Sequence, residues 1–323
     1  MAWIFWLGLI FVIYTLIGYP ILLGIVSLFR TWTIQREEIW PVVSIIIIAH
    51  NAAGIIGEKI KNTLEIVYPK EKLEIIVGSD GSTDATADVV RAHKAAGVKL
   101  LESQERCGKH HIQMLARDAC HGEILVFTDA SVLASPDVLQ KMVPQFSDPS
   151  VGCISSVDQA FESRKDWVGE HFYVYGEMGL RLLEARVNSV VSMSGSFYAA
   201  RREVCKIWHP DMSSDFFVAL HTVSSGMRAL LDPECKVRVG AVRSDRRELA
   251  RKVRTIVHGL VVFFSHLTLL NPFRYGLFSW QLASHKLCRW LLPLAFIALL
   301  VSNFFLWTNG RFYQIALVAQ LLG

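Results

Sequence analysis

The segment Leu73–Asp84, LEIIVGSDGSTD, constrains the fold of this chain more than any other. Its apolar half has the continuous hydrophobicity of a strand buried in a parallel sheet, and its polar half ends that strand abruptly. A helical pattern follows over Ala85–Ala96, with Asp84 where a helix cap belongs. A turn at the carboxyl end of a parallel strand faces the crevice in which open α/β sheets bind ligands, so Asp80 is a candidate ligand-binding residue. The alternative is an ordinary turn whose Asp and Ser side chains satisfy backbone amides.

A second strand of the same kind is Glu123–Asp129, EILVFTD, another apolar run that ends in a carboxylate. A helix start at Ser135-Pro136 follows it, and Val43–Asn51, VSIIIIAHN, precedes both strands. Strands and helices alternate regularly over residues 42–156, with short connections. This alternation predicts an α/β fold with a doubly wound, mostly parallel sheet.

The N-terminal run Ala2–Phe29 contains no charged residue, and about 20 helical residues suffice to cross a hydrocarbon core. A secretory signal peptide would need a basic start, a shorter apolar core and a small-residue cleavage site, which this run lacks. Trp290–Asn309 is a second uncharged run long enough to span. Phe312–Gly323 begins a third that is too short to cross alone. It is either a re-entrant segment or part of a truncated sequence, and we expect truncation.

Charge supports a membrane orientation rather than nucleic-acid binding. The net charge of +4 is small, and basic residues are not interleaved with stacking aromatics. They cluster instead over Arg243–Arg254, before the second span, while Arg30 and Arg36 follow the first. The positive-inside rule therefore predicts a cytoplasmic location for residues 30–289. Six cysteines without CxxC spacing indicate neither a zinc site nor a disulfide framework.

The segment between the basic cluster and the second span has the pattern of a membrane-surface structure. Arg246–Leu260 carries charges on one side and apolar residues on the other, as helices at a bilayer surface do. Gly259–Leu282 is aromatic-rich and broken at Asn271-Pro272. The break favours interfacial helices over a span.

The order of these motifs resembles that of the family 2 glycosyltransferases, whose GT-A fold binds nucleotide sugars. The motifs are VSIIIIAHN, SDGSTD, EILVFTD and, further on, SGSFYAARR, and the resemblance covers about residues 42–290. It implies a transmembrane helix at 1–30, a GT-A domain at 31–245, interfacial helices at 246–286 and a transmembrane region at 287–323. Within the GT-A domain, residues 42–156 would form the nucleotide-sugar half and residues 157–245 the acceptor half.

The resemblance also implies roles for six residues. Asn51 and Asp80 match nucleotide-contacting positions, and Lys109 matches a Gly-Lys whose cation lies near the phosphates. Asp129 would hold Mg²⁺ or Mn²⁺ against the diphosphate, and a single carboxylate can suffice because Mg²⁺ also takes substrate phosphates. Asp215, after SGSFYAARR, matches the catalytic base, although a helix N-cap is its alternative. Arg254 could meet the diphosphate through its guanidinium.

Several residues differ from the family's motifs. Ser131 replaces the second acid of Asp-x-Asp, Ser214 replaces the acid before Asp215, and Met114 replaces an asparagine. Ala52 and Ala53 replace acids that usually follow Asn51. Processive relatives carry Gln-x-x-Arg-Trp where this chain has Arg251-Lys252-Val253-Arg254-Thr255, and Thr255 cannot stack on a sugar.

The sequence therefore predicts an inverting glycosyltransferase that moves a hexose from a nucleotide-diphosphate sugar, expected to be a UDP-sugar, to a lipid-linked or polysaccharide acceptor. We expect a multi-pass protein of the inner (plasma) membrane with a cytoplasmic catalytic domain. Its expected partners are the donor, the glycan or lipid-linked acceptor, membrane lipid and other polysaccharide-synthesis subunits, without nucleic acid. Two alternatives are single-sugar transfer to a polyprenyl phosphate and a non-catalytic subunit that binds nucleotide sugar.

Overall fold

A computed structural model of the chain describes residues 1–30, 32–160, 168–205, 209–239 and 245–322. The chain forms two compact units, one of residues 32–268 and the other of residues 1–31 with residues 269–323. Arg243, the first residue of the predicted basic cluster, lies outside the described residues.

An eight-stranded sheet runs through the unit of residues 32–268. Its strands are β1 Val43–Ala49, β2 Leu73–Asp80, β3 Val98–Ser103, β4 Ile124–Asp129, β5 Val132–Ala134, β6 Val151–Ala160, β7 Phe197–Arg201 and β8 Arg228–Val239. Their order is β3-β2-β1-β4-β7-β6-β8-β5. The pairs within β3-β2-β1-β4 and the pair β6-β8 are parallel, whereas β7 and β5 run antiparallel to their neighbours. The predicted α/β fold with a mostly parallel sheet is confirmed.

The central strand β1 is buried on both faces of the sheet. Every residue of β1 is buried, including Ser44, whose hydroxyl donates to Glu74. Successive side chains of a strand point to opposite faces of the sheet, so all of them can be buried only when both faces are covered. The continuous run of isoleucines in β1 is the sequence counterpart of this two-sided cover.

The α-helices of five or more residues are α1 Ala2–Leu28, α2 Ile56–Leu64, α3 Thr86–Arg91, α4 Lys109–Ala119, α5 Val138–Met142, α6 Val168–Val187, α7 Ser214–Ser224, α8 Asp245–Ser265, α9 Leu277–Phe305 and α10 Arg311–Leu322. A four-residue helix, Pro272–Tyr275, precedes α9. The helix predicted over Ala85–Ala96 is too long. The α-helix ends at Arg91, and a 3-10 turn with Gly97 at φ 85° follows because β3 begins at the next residue.

The other unit is built from apolar helices. Both α1 and α9 are long and apolar enough to cross a membrane. Phe5 and Val12 of α1 pack with Leu299 and Leu306 in a small core. Much of the remaining apolar surface is exposed, with Trp3 at 83%. Such a surface is unusual for a soluble domain and suits contact with lipid.

Candidate active site

Two of the predicted acids end neighbouring strands of the sheet. Asp80 is the last residue of β2 and Asp129 the last of β4, and β1 lies between these strands. In the register of the pairs, Ile48 of β1 lies opposite Asp129 and Ala49 lies opposite Ser79. Parallel strands place their carboxyl ends at one edge, so both acids lie at the same crevice.

Asp80 is only 3% exposed, and its carboxylate accepts backbone hydrogen bonds. The amide of Cys107 donates to Oδ1 at 2.7 Å, and the amide of Gly108 lies 3.0 Å from each oxygen. A side chain at Gly81, whose φ is 56°, would collide with the backbone of Arg106 at 2.4 Å. Asp80 thus shapes the loop that leads into α4, as the alternative interpretation of this turn predicted. Its contact with a nucleotide stays a prediction.

Asn51 joins the turns after β1 and β2. It has a positive φ of 47°, and its Oδ1 accepts a hydrogen bond from the amide of Thr83 at 2.8 Å. Asp84 accepts bonds from the amides of Thr86, at 3.0 Å, and Ala53, at 3.1 Å. Asn51 is exposed at the surface of these turns, which keeps its side chain reachable for a ligand.

Lys109 links Asp129 to the acceptor-side segment. Its Nζ lies 2.6 Å from Asp129 Oδ1 and donates to the carbonyl oxygen of Gly195 at 3.0 Å. Asp215 packs against the same glycine, because a β-carbon built there would lie 3.4 Å from Asp215 Oδ2. Three of the predicted functional residues therefore meet around one backbone position, although up to 106 positions separate them, from 109 to 215.

The residues around Asp129 fit one divalent cation held with help from a substrate. The carboxylate is 36% exposed and already holds a positive charge, the Lys109 ammonium. Ser131 follows at an exposed position. In the part of the chain that the structure describes, no group of three or more His, Cys, Asp or Glu is placed to hold a metal. One protein carboxylate with waters and substrate phosphates is a coordination that Mg²⁺ accepts.

His110 of α4 contacts Ser214, the residue before Asp215, and was not predicted from the sequence. Burial lowers the pKa of His110 to about 4, and the nearby Asp215 opposes this shift, so the ring is neutral near pH 7. His110 Nδ1 lies 3.3 Å from the amide nitrogen of Ser214 and 3.3 Å from Gln113 Oε1. Ser214 Oγ donates to Gln113 Oε1 at 2.7 Å. The available signal was the spacing of His110 and Gln113, which puts both on one face of α4.

Helix α8 passes beside this cluster. The ring of His258 lies 5.5 Å from that of His110. Arg254 precedes His258 by one helical turn and is exposed, as is Thr255. The described contacts do not join Arg254 to Lys109, Asp129 or Asp215, so its diphosphate contact stays a prediction.

Lys59 of α2 is a buried cation behind the end of β4. It is 1% exposed, and its Nζ donates to Thr128 Oγ1 at 3.1 Å. Burial lowers its pKa to about 7, while the negative charge of Asp129 opposes that shift. Sequence analysis missed Lys59 because a lysine in an amphipathic helix is ordinarily solvated.

Comparison with protein families gives a match to the model described as Glycosyl transferase family 2, over residues 44–208. Among curated proteins, a β-monoglucosyldiacylglycerol synthase of Nostoc sp. is 25% identical over 189 residues. That alignment covers 54% of this chain and 39% of the relative, so the chain spans well under half of its length.

Among solved structures, the chain is similar to a mannosyltransferase from Pyrobaculum calidifontis in complex with GDP-Man and Mn²⁺. The TM-score is 0.74 at 24% identity, covering 98% of this chain and 96% of that one. It is also similar to GalNAc-T7 with UDP, GalNAc and Mn²⁺, with a TM-score of 0.53 at 15% identity and coverages of 70% and 48%. These similarities confirm the predicted GT-A fold.

Proposed function

The chain belongs to glycosyl transferase family 2, and from this premise we propose that it uses a nucleotide sugar for an inverting transfer to a lipid-linked or polysaccharide acceptor at the cytoplasmic membrane face. The observation that carries the proposal is the meeting of Lys109, Asp129 and Asp215 around Gly195. It brings a cationic group, a candidate cation ligand and a candidate base within reach of one sugar.

Asp215 would take the proton of the acceptor hydroxyl. The hydroxyl oxygen then forms a bond to the anomeric carbon as the bond from that carbon to the diphosphate breaks, and the nucleoside diphosphate leaves. Lys109 would contact the phosphates, as would Arg254 from α8. Asp129, with Ser131 as a neutral ligand, would hold a Mg²⁺ or Mn²⁺ ion, which when bound supplies positive charge to the departing diphosphate.

The surface of α8 supports a lipid-embedded acceptor. One side of the helix packs through His258 against His110, and His266, directly after the helix, packs against Phe217. The other side exposes a stripe of apolar residues, which are Val253, Ile256, Val257, Val261 and Phe264. An apolar stripe on a helix beside the site is expected at a bilayer surface, and α1 and α9 are candidate anchors. The Nostoc relative is named a β-monoglucosyldiacylglycerol synthase, and a glycolipid product agrees with a lipid acceptor.

Transfer from a radiolabelled donor by the full chain in micelles containing diacylglycerol and lipid extract tests the proposal. UDP-glucose and GDP-mannose, each with Mn²⁺, would serve as donors after a thermal-shift screen of nucleoside diphosphates. We expect Asp215→Asn to lower transfer on the order of 10³-fold, since general bases contribute roughly 10² to 10⁴, without loss of donor binding. Asp211→Asn, an exposed acid four residues earlier, is the matched control.

Unchanged transfer by Asp215→Asn would contradict the assignment of the base. Donor binding by the wild type without any turnover would favour the non-catalytic alternative. Product length would distinguish the two enzymatic candidates, and we expect single additions, because exposed Thr255 offers no ring for stacking.

A further inference from the structure

Asp158 of β6 is a carboxylate to which the proposed reaction assigns no role, and its hydrogen bonds lead to the active site. Ser194 Oγ donates to Asp158 Oδ2 at 2.6 Å, and Ser196 Oγ donates to the same oxygen at 3.1 Å. Ser156 Oγ approaches the other oxygen at 3.5 Å. Two hydroxyls that flank Gly195 are thus held by one carboxylate from a different strand.

The segment Ser194–Ser196, here called the serine turn, contacts three of the proposed functional residues through its backbone. Its central carbonyl accepts from Lys109, and its central Cα packs on Asp215. The carbonyl oxygen of Ser196 accepts a hydrogen bond from the amide of Asp129 at 3.3 Å. The orientation of the two peptide planes in this turn therefore sets the relative positions of all three groups.

Other bonds to the serine turn are local or come from one neighbour. The amide of Ser194 donates to Ser155 Oγ at 2.8 Å, and the amide of Ser196 donates to Ser194 Oγ at 3.2 Å. Asp158 is the group that restrains both serine side chains at once. By accepting from both hydroxyls, one oxygen of Asp158 ties both ends of the turn to β6, whereas the bond to Ser155 holds only Ser194.

Resting on the proposed function, we propose that Asp158 is a positioning residue for sugar transfer. By holding Ser194 and Ser196 it fixes the serine turn, so that Lys109 is held at the donor phosphates and Asp215 at the acceptor hydroxyl in one geometry. Asp158 takes no proton and touches no reacting atom in this role. A misplacement of about 1 Å at a reacting group can cost on the order of 100-fold in rate.

Two substitutions at Asp158 separate geometry from charge. In Asp158→Asn the amide oxygen can accept from both Ser194 and Ser196. The amide nitrogen can donate to Ser156 Oγ, because the hydrogen of that hydroxyl already bonds to the carbonyl of Phe197 at 2.8 Å. In Asp158→Leu the branched shape is kept with a larger volume, but both serine hydroxyls lose their acceptor. We expect the turnover number to fall roughly 10- to 100-fold in the leucine variant and less than about threefold in the asparagine variant.

The measurement is the turnover number per donor-binding site in micelles. The donor is UDP-glucose or GDP-mannose, whichever the wild type turns over. Calorimetry with that donor gives the number of binding sites and the donor Kd. Donor Kd should stay within about threefold, because Lys109 keeps its ion pair with Asp129. This split between turnover and donor binding distinguishes positioning from general damage to the fold. Asp88→Asn, an exposed acid paired with Arg91, is the control for loss of one charge.

If the leucine variant does not fold, the double variant Ser194→Ala and Ser196→Ala removes the same two bonds from the opposite side and should show the same split. Full turnover per site in the leucine variant, or in the double serine variant, would overturn the inference. An asparagine variant as impaired as the leucine variant would also overturn it, because charge rather than geometry would then matter. Asp215→Asn in the same assay distinguishes failure of the proposed function from failure of the Asp158 inference. If Asp215→Asn is active, the assignment of the base is wrong, and the Asp158 variants are then judged by their own turnover and donor binding.

Discussion

The Nζ of Lys109 lies 2.6 Å from Asp129 Oδ1, so the proposed cation ligand is paired with a protein ammonium before any ion binds. A divalent cation and Lys109 must then share or exchange this carboxylate. Since the side chains are about one-third exposed, 34% and 36%, the pair can rearrange without a large desolvation cost.

Lys109→Met should tighten Mn²⁺ binding to the nucleotide-free protein roughly fivefold, because a positive charge beside the carboxylate is removed. The same change should weaken binding of nucleoside diphosphate, which loses its cationic partner. Calorimetric titration with Mn²⁺ and then with UDP or GDP measures both effects. Lys141→Met, which breaks a comparable pair with Asp137, is the control. Equal Mn²⁺ affinity in Lys109→Met and wild type would contradict the competition.

Ser131→Asp should raise Mn²⁺ affinity about tenfold, because a second carboxylate joins Asp129 and affinity follows the number of charged ligands. Ser131 is exposed and lies between β4 and β5, so the substitution requires no repacking of the core. Ser131→Asn supplies a neutral oxygen at the same place and should change affinity much less. An aspartate variant that binds Mn²⁺ no better than the asparagine variant would exclude Ser131 from the coordination sphere.

Lys59→Met should change how stability depends on pH. The pKa of Lys59 is about 7 in the folded protein, lowered by burial against an opposing Asp129, and 10.5 is its ordinary value. Between these values the unfolded chain binds the proton and the folded chain does not, so wild-type stability rises with pH by up to about 1.4 kcal/mol per unit from this group. The methionine variant lacks this slope.

Thermal melting of the cation-free protein between pH 7 and pH 10 measures the effect. The advantage of Lys59→Met over wild type should be largest near pH 7 and shrink as pH rises. Lys61→Met, at an exposed position of the same helix, controls for loss of a lysine. Parallel melting curves for wild type and Lys59→Met would show that Lys59 stays charged when buried.

Asp80→Ala should lower the free energy of unfolding by about 2 kcal/mol or more, because the amides of Cys107 and Gly108 lose their acceptor. Asp80→Asn can keep these bonds through its amide oxygen and should melt close to wild type. The pair also tests the predicted nucleotide contact by calorimetry with UDP and GDP. An asparagine variant with wild-type affinity would restrict Asp80 to shaping the loop before α4.

The double variant Val257→Ser and Val261→Ser should slow transfer to an acceptor embedded in vesicles roughly three- to tenfold, since less apolar surface of α8 would enter the bilayer. Both valines are exposed, at 52% and 40%. Donor binding in micelles should not change. Leucines at both positions keep the apolar surface and serve as controls. Equal rates for the serine and leucine variants would remove the membrane role of this stripe.

The amino-acid sequence by itself determined the strands, the helices that follow them and the strand-end acids. A hydrophobic run such as that of β1 indicates a strand buried on both faces, and the run can be recognised within one segment without knowledge of the rest of the fold. For the same reason, the order of motifs was sufficient for the family and the GT-A fold. Short elements such as β5, with three residues, carry too little periodicity to be found this way.

Only the tertiary structure decided which polar groups pair with one another. The sequence predicts either a ligand-binding or a turn-stabilising role for Asp80. The structure shows that its carboxylate accepts hydrogen bonds from the amides of Cys107 and Gly108. Lys59, His110 and Asp158 have ordinary sequence surroundings, and their environments come from residues 36 to 104 positions away, Ser194 and Ser214 among them. Hydrogen bonds act over about 3 Å in space, whatever the separation along the chain, so these pairings exist only once the sheet has brought its strand ends together.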